Sequence, residues 1–127
     1  MNELSEQVIG ACIEVHRNLG PGLLESAYEV CLAHELTLRG IPFHRQVPVP
    51  VRYKNVCLEA GYRLDLLVDG RLILELKATK IPGNILKAQL LTYLKLMDLT
   101  LALGVNFNQE PLVDGVTRVL NGYPDLS

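Results

Sequence analysis

Apolar positions along the chain switch between two periods, and the switches mark out its elements. Over about residues 5–18, Val8, Ile9, Cys12, Ile13 and Val15 recur at helical spacing. Leu19-Gly20-Pro21-Gly22 stops that helix, because glycine and proline interrupt helical backbone. A second helical stripe covers about residues 23–38 on Leu24, Ala27, Val30, Cys31, Ala33 and Leu36, and Gly40 and Pro42 end it. Residues 47–53 then alternate with period two. Pro48 and Pro50 cannot donate ladder bonds, so this stretch is expected as an edge strand. Two strands over about 60–68 and 71–78 meet at Asp69-Gly70, a hairpin signal. After a loop holding Pro82, Asn84 stands where it would cap a helix reaching about residue 97. Residues 101–107 form a short continuous apolar run, the mark of a buried strand, and 115–120 add a last edge strand. The tail after Gly122 is expected to fray. The order α-α-β-β-β-α-β-(β) predicts an α/β (α+β) fold with one mixed sheet flanked by helices.

The central hairpin carries the sharpest prediction. Leu64, Leu66 and Val68 share one face of their strand, and Leu72, Leu74, Leu76 and Ala78 share one face of the next. A strict two-residue Asp-Gly turn would set Asp65 across from Leu74 and Leu64 across from Glu75. A slip of one residue inverts every side chain, so the apolar pattern should select Leu64 with Leu76, Leu66 with Leu74 and Val68 with Leu72. That register requires a three-residue connection or a bulge near Gly70. It also places Asp65 opposite Glu75 and Arg63 opposite Lys77.

Two carboxylates directly opposed are destabilising on their own. Inside a strongly apolar hairpin they suit a hard divalent cation such as Mg²⁺ or Mn²⁺. Lys77 lies two residues beyond Glu75 on the same face, where an ammonium would orient water or offset charge developing on a phosphate. The structural alternative is a solvated cluster of Asp65, Glu75, Lys77 and Arg63.

Composition narrows the setting. The chain has 127 residues, 49% hydrophobic and 20% charged, with a formal net charge of −2. That length suits a single domain, 1–127, with a core over about 4–122, and this composition excludes a disordered segment. No apolar run reaches the roughly 18 residues of a spanning helix, so no membrane association is expected. The N-terminal stretch is acidic rather than basic, unlike a leader peptide. Cys12, Cys31 and Cys57 form no CxxC pair, and reduced buried thiols in a cytoplasmic protein are expected. His16, His34 and His44 lack metal-ligand spacing, and His16 is expected to be structural. Residues 1–38 carry Glu3, Glu6, Glu14, Glu25, Glu29 and Glu35 against Arg17 alone. Residues 76–97 instead hold Lys77, Lys80, Lys87 and Lys95 without an acid, and 39–55 hold Arg39, Arg45, Arg52 and Lys54 without one. A near-neutral chain can therefore present a positive face to a polyanion, although solvated surface lysines would give the same pattern.

Asp65 followed by Glu75-Leu76-Lys77 resembles the D…(D/E)xK signature of the PD-(D/E)XK nuclease superfamily, with Leu64 in place of the proline. Gly22-Leu23-Leu24-Glu25-Ser26-Ala27-Tyr28 resembles the G-x-x-E-x-x-Y motif of the GxxExxY family of small bacterial and archaeal proteins. Glu14-Val15-His16-Arg17, Leu19-Gly20-Pro21-Gly22, the segment from Ala88 to Leu94 and Asn106-Phe107-Asn108 are similar to that family as well. The resemblance implies a restriction-endonuclease-like αβββαβ core with one extra N-terminal helix. It implies a metal-dependent nuclease acting on DNA, less readily on RNA. In that reading Asp65 and Glu75 are metal ligands, Lys77 is catalytic and Glu25 completes or supports the metal shell. Gln89-x-x-x-Tyr93 resembles a QxxxY element that contacts substrate, and its spacing puts both residues on one helix face. With Lys80 and Lys87, these residues would steady a nucleic-acid backbone. Tyr28 is expected to pack with its hydroxyl bonded to a neighbour, and Tyr93 has a core aromatic as its alternative role. Leu86 departs from the pattern, since relatives often carry His there. A chain of this size leaves target choice to loops, a homodimer or a protein partner. The alternative reading is a catalytically inactive nuclease-fold module that binds nucleic acid or protein.

Overall fold

The computed structural model describes residues 2–58 and 61–122. Helices α1 (Asn2–Leu19) and α2 (Glu25–Leu38) come first, then strand β1 (Phe43–Pro48), a small ribbon of β2 (Val51–Tyr53) and β3 (Val56–Leu58), and the long hairpin of β4 (Arg63–Val68) and β5 (Leu72–Lys77). Helix α3 (Gly83–Met97), strand β6 (Leu101–Asn106), a 3₁₀ turn at Leu112–Gly115 and strand β7 (Val116–Leu120) follow. The main sheet runs β1-β4-β5-β6-β7, and β2-β3 stands apart from it. Only β5 and β6 pair in parallel in this sheet. A parallel pair needs a crossover connection, which α3 supplies. The result is the expected mixed sheet flanked by helices, consistent with a restriction-endonuclease-like fold.

Each face of the sheet has its own core. On one side Val8, Cys12, Leu32 and Leu36 of α1 and α2 pack on Leu66, Val68, Leu72, Leu74 and Leu76. On the other, Leu86, Leu90 and Leu94 of α3 pack on Leu64, Ile73 and Ala102. Gly104 of β6 lets α3 press close: a Cβ there would sit 2.9 Å from Leu86 Cδ2 and 3.2 Å from Leu90 Cδ1. Leu86 is therefore a buried packing residue.

The hairpin register is the expected one. Leu66 pairs with Leu74, Leu67 with Ile73 and Val68 with Leu72, leaving Asp69, Gly70 and Arg71 as a three-residue connection. Asp69 and Gly70 turn the chain in the left-handed region, with φ of 54° and 66°.

Several expectations are corrected. Residues 47–53 are not one strand. The prolines cut the ladder, so β1 ends at Pro48 on the sheet edge, Val49 turns inward with its N–H bonded to Tyr62 O at 2.9 Å, and residues 51–53 pair with the unforeseen β3. Cys57 lies on β3 and is exposed, Cys31 is half-buried and Cys12 is buried. Asn84 does not cap α3. The helix starts at Gly83 with Pro82 in the cap position, two residues earlier, and the Pro82 carbonyl receives the N–H groups of Ile85 and Leu86 at 3.1 and 3.2 Å. Leu64 leaves the face of Leu66 and Val68 and joins the α3 core instead. The expected strand start at residue 60 and the fraying tail lie outside the described residues.

Candidate active site at a fork in the sheet

The β4–β5 ladder stops at Leu66 and Leu74, one residue short of Asp65 and Glu75. Beyond that point β5 stays with β6 as far as Lys77 and Asn106, whereas β4 stays with β1 as far as Arg63 and Pro48. The strands diverge, and side chains take over the missing ladder bonds. Glu75 Oε1 accepts the Asp65 N–H at 2.8 Å, and Asp65 Oδ2 accepts the Leu76 N–H at 2.8 Å. This exchange satisfies two backbone donors that the fork would otherwise orphan. Among the described residues, Asp65 Oδ1 and Glu75 Oε2 have no hydrogen-bond partner.

The other side of β4 is also interrupted. Arg45 faces Leu66 and Val47 faces Leu64, while Gln46 between them takes a left-handed φ of 53°. The Arg45 guanidinium and the Gln46 amide both donate to Glu29 of α2, each at 2.9 Å. Glu29 is buried and tethers this strand opposite Asp65. Sequence reading passed over it, although its spacing of four from Glu25 places both on one face of α2.

Burial and like charge oppose ionisation of the two carboxyls at the fork. Burial pushes the Glu75 carboxyl up to about 7, helped by the Asp65 charge; the Asp65 N–H, Lys77 and, in the raising direction, Glu25 act less. Asp65 is raised too, chiefly by burial, with the Leu76 N–H opposing it and the Glu29 and Glu25 charges adding to it. The Lys77 charge favours ionisation of both carboxyls. Glu25 is exposed in the first turn of α2, and its charge likewise acts on both.

Neighbouring contacts hold these residues in place. Phe107 N–H donates to Lys77 O at 2.8 Å, and the Asn106 amide reaches Thr79 O at 2.8 Å while accepting the Asn108 N–H at 2.9 Å. Asn106-Phe107-Asn108 thus clamps the end of the Lys77 strand. Tyr28 stacks on Phe107 at 4.3 Å, donates its hydroxyl to Gly20 O at 2.5 Å and accepts the Leu23 N–H at 3.1 Å. It fixes the loop that leads into Glu25, in the structural role expected of it. His16 is buried 6.2 Å from the Phe107 ring.

On α3, Gln89 Nε2 donates to Tyr93 Oη at 3.2 Å, so the pair does share a face. Tyr93 is buried, and its hydroxyl is raised by burial first and then by the Glu75 charge. Tyr93 is thus both a core aromatic and a neighbour of the carboxylates. Lys80 and Lys87 are exposed, and no hydrogen bond or ion pair ties either to the fork.

A family profile described as the PD-(D/E)XK nuclease superfamily matches residues 2–119. The chain belongs to this superfamily. No protein of curated function and no solved structure matches it. Membership agrees with the architecture described above.

The donor set fits a hard divalent ion. Asp65 and Glu75 present oxygen ligands whose mutual repulsion a cation would relieve. No group of three or more His, Cys, Asp or Glu closes into a cage among the described residues. Mg²⁺ is commonly held by one or two carboxylates, with water and phosphate oxygens completing its shell.

Proposed function

We propose that this chain is a GxxExxY-type nuclease that hydrolyses phosphodiester bonds in DNA, in preference to RNA, with Mg²⁺ or Mn²⁺. The observation that carries the reading is the fork: two carboxylates, each accepting one backbone N–H, keep their second oxygens without a hydrogen-bond partner among the described residues, and the Lys77 charge acts on both. Asp65 and Glu75 hold the cation, and Glu25 supports its shell from α2. A bound divalent cation supplies an acidified water and charge neutralisation at the phosphate. Lys77 orients the attacking water and offsets charge on the reacting phosphate. Gln89 and Tyr93 steady the nucleic acid beside the fork, and Lys80 and Lys87 attract its backbone without reading sequence. We place the protein in the cytoplasm; no helix among the described residues is long and apolar enough to cross a membrane. Target choice is left to loops, a homodimer or a protein partner.

A second reading, an inactive nuclease-fold module that binds nucleic acid or protein, is favoured by Leu86. The position where relatives often carry His is here committed to packing on Gly104. Cleavage of labelled single- and double-stranded DNA and RNA, with Mg²⁺, Mn²⁺ or EDTA, separates the readings. Cutting that needs the metal and disappears in Glu75→Gln supports the nuclease. Absence of cutting alongside retained binding supports the module.

A further inference from the structure

Beside the fork, a groove of about 470 Å³ runs between the β2–β3 ribbon and α3, walled by Val51, Leu58, Tyr62, Gln89, Thr92 and Tyr93. Its Tyr93 wall feels the Glu75 and Asp65 charges, so the groove adjoins the carboxylate pair. Tyr62 stands three residues before Asp65, and its side chain is 49% exposed. Its carbonyl is pinned by the Val49 N–H at 2.9 Å, which fixes where the ring emerges.

The charges around this groove point to its occupant. On the ribbon face that Val51 and Leu58 turn to the groove, Tyr53 comes next, and Lys54 stands at the ribbon's turn; Arg52 alternates to the opposite face. Lys54 has no carboxylate partner among the described residues, and its ammonium lies 5.3 Å from the centre of the Tyr53 ring. Tyr53 is itself 67% exposed. A cation set among exposed aromatics suits a polyanion carrying flat apolar groups. An apolar peptide would leave the Lys54 ammonium unanswered.

We propose that this groove holds an unpaired nucleobase of the nucleic acid bound at the fork, with Tyr62 as the stacking face and Lys54 on an adjoining phosphate. The proposal rests on the nuclease reading above. A base within a duplex has its faces covered by its neighbours, so the site selects single-stranded or locally opened nucleic acid. The Gln89 amide and the Thr92 hydroxyl offer donors and acceptors to the edge of the base.

The test uses the whole chain in EDTA, where binding is read without cutting. Anisotropy of a fluorescein-labelled oligothymidylate is compared with that of a duplex of equal length. The single strand is expected to bind at least about tenfold more tightly. Tyr62→Ala should weaken it about tenfold and Tyr62→Phe less than about twofold, in keeping with the loss of one stacked base. Leu58→Glu, at another exposed wall position, should weaken it at least as much by placing a carboxylate against the strand. Lys54→Gln should reduce the slope of log affinity against log salt by about 0.7, the share of one contact. Equal binding of duplex and single strand, failure of the wild type to bind, or Tyr62→Ala and Leu58→Glu binding like wild type would each overturn the groove. Cleavage with Mg²⁺ is scored separately. Cutting without Tyr62-dependent binding refutes the groove alone, and Tyr62-dependent binding without cutting refutes the nuclease reading alone.

Discussion

Substituting Glu75→Gln should stabilise the metal-free protein at neutral pH and above, because the fork confines two carboxylates that burial and mutual repulsion oppose. The amide oxygen of Gln can still accept the Asp65 N–H, so the substitution removes charge and keeps the hydrogen bond. In the folded chain Glu75 titrates at about 7, against an ordinary value of 4.5. Below the lower value the group is protonated whether folded or unfolded, and it contributes nothing. Between the two values the folded state binds more protons than the unfolded one, so stability falls as pH rises, by about 1.4 kcal/mol per pH unit. Above about 7 the loss is complete and amounts to roughly 3 kcal/mol. For a domain of this size that corresponds to roughly 10 °C in Tm. Thermal melts of wild type and Glu75→Gln in EDTA, from about pH 4 to about pH 8, isolate the group as a difference between two curves. The curves should meet at the acid end and separate with Glu75→Gln on top, most steeply between about pH 5 and pH 7. Mg²⁺ at about pH 8 should raise the wild-type Tm and leave Glu75→Gln nearly unmoved. Parallel curves across the range would refute the reasoning, because the carboxyl would then be solvated and unopposed.

Other consequences are checkable with simpler measurements. Gly104→Ala forces a methyl to 2.9 Å from Leu86 Cδ2, and urea unfolding should show a loss of about 1–3 kcal/mol; an unchanged midpoint would mean that α3 does not pack this closely on β6. Tyr28→Phe keeps the stack on Phe107 but removes the hydroxyl that joins Gly20 and Leu23, and should cost about 1–2 kcal/mol by the same assay. A thiol reagent should modify Cys57 first and Cys31 more slowly. Cys12, fully buried with its thiol pushed up to about 12 by burial, should react only on unfolding, as a count of modified thiols with and without denaturant would show.

The sequence carried the hairpin register because alternating leucines on both strands leave one pairing that buries them together. The opposition of Asp65 and Glu75 followed from it without any knowledge of chemistry. The divergence of the strands did not follow. Periodicity describes which face a residue occupies, and nothing in it signals where a ladder ends, so the shift of Leu64 to the other core was illegible. The split of residues 47–53 lay within reach, since two prolines two residues apart remove ladder donors twice; pattern alone could not say that the chain would leave the sheet. Glu29 escaped notice because an acid on a helix reads as solvated until the partner strand is seen to bring Arg45 and Gln46 to it. Asn84 was misread because the carbonyl of Pro82, set by the proline's own backbone, begins the helix before a side chain can.

The reciprocal bonds across the fork have a practical consequence for anyone wishing to inactivate the protein. Asp65 and Glu75 stand in for backbone carbonyls as well as serving as acids, so the two jobs are lost together when either is truncated. Glu75→Ala would strand the Asp65 N–H, and Asp65→Ala would strand the Leu76 N–H, each at the half-buried seam of the hairpin. An alanine knockout therefore confounds disabled chemistry with a sheet unzipping from its open end. The isosteric amides separate the two, and in this molecule they are the informative way to silence the site.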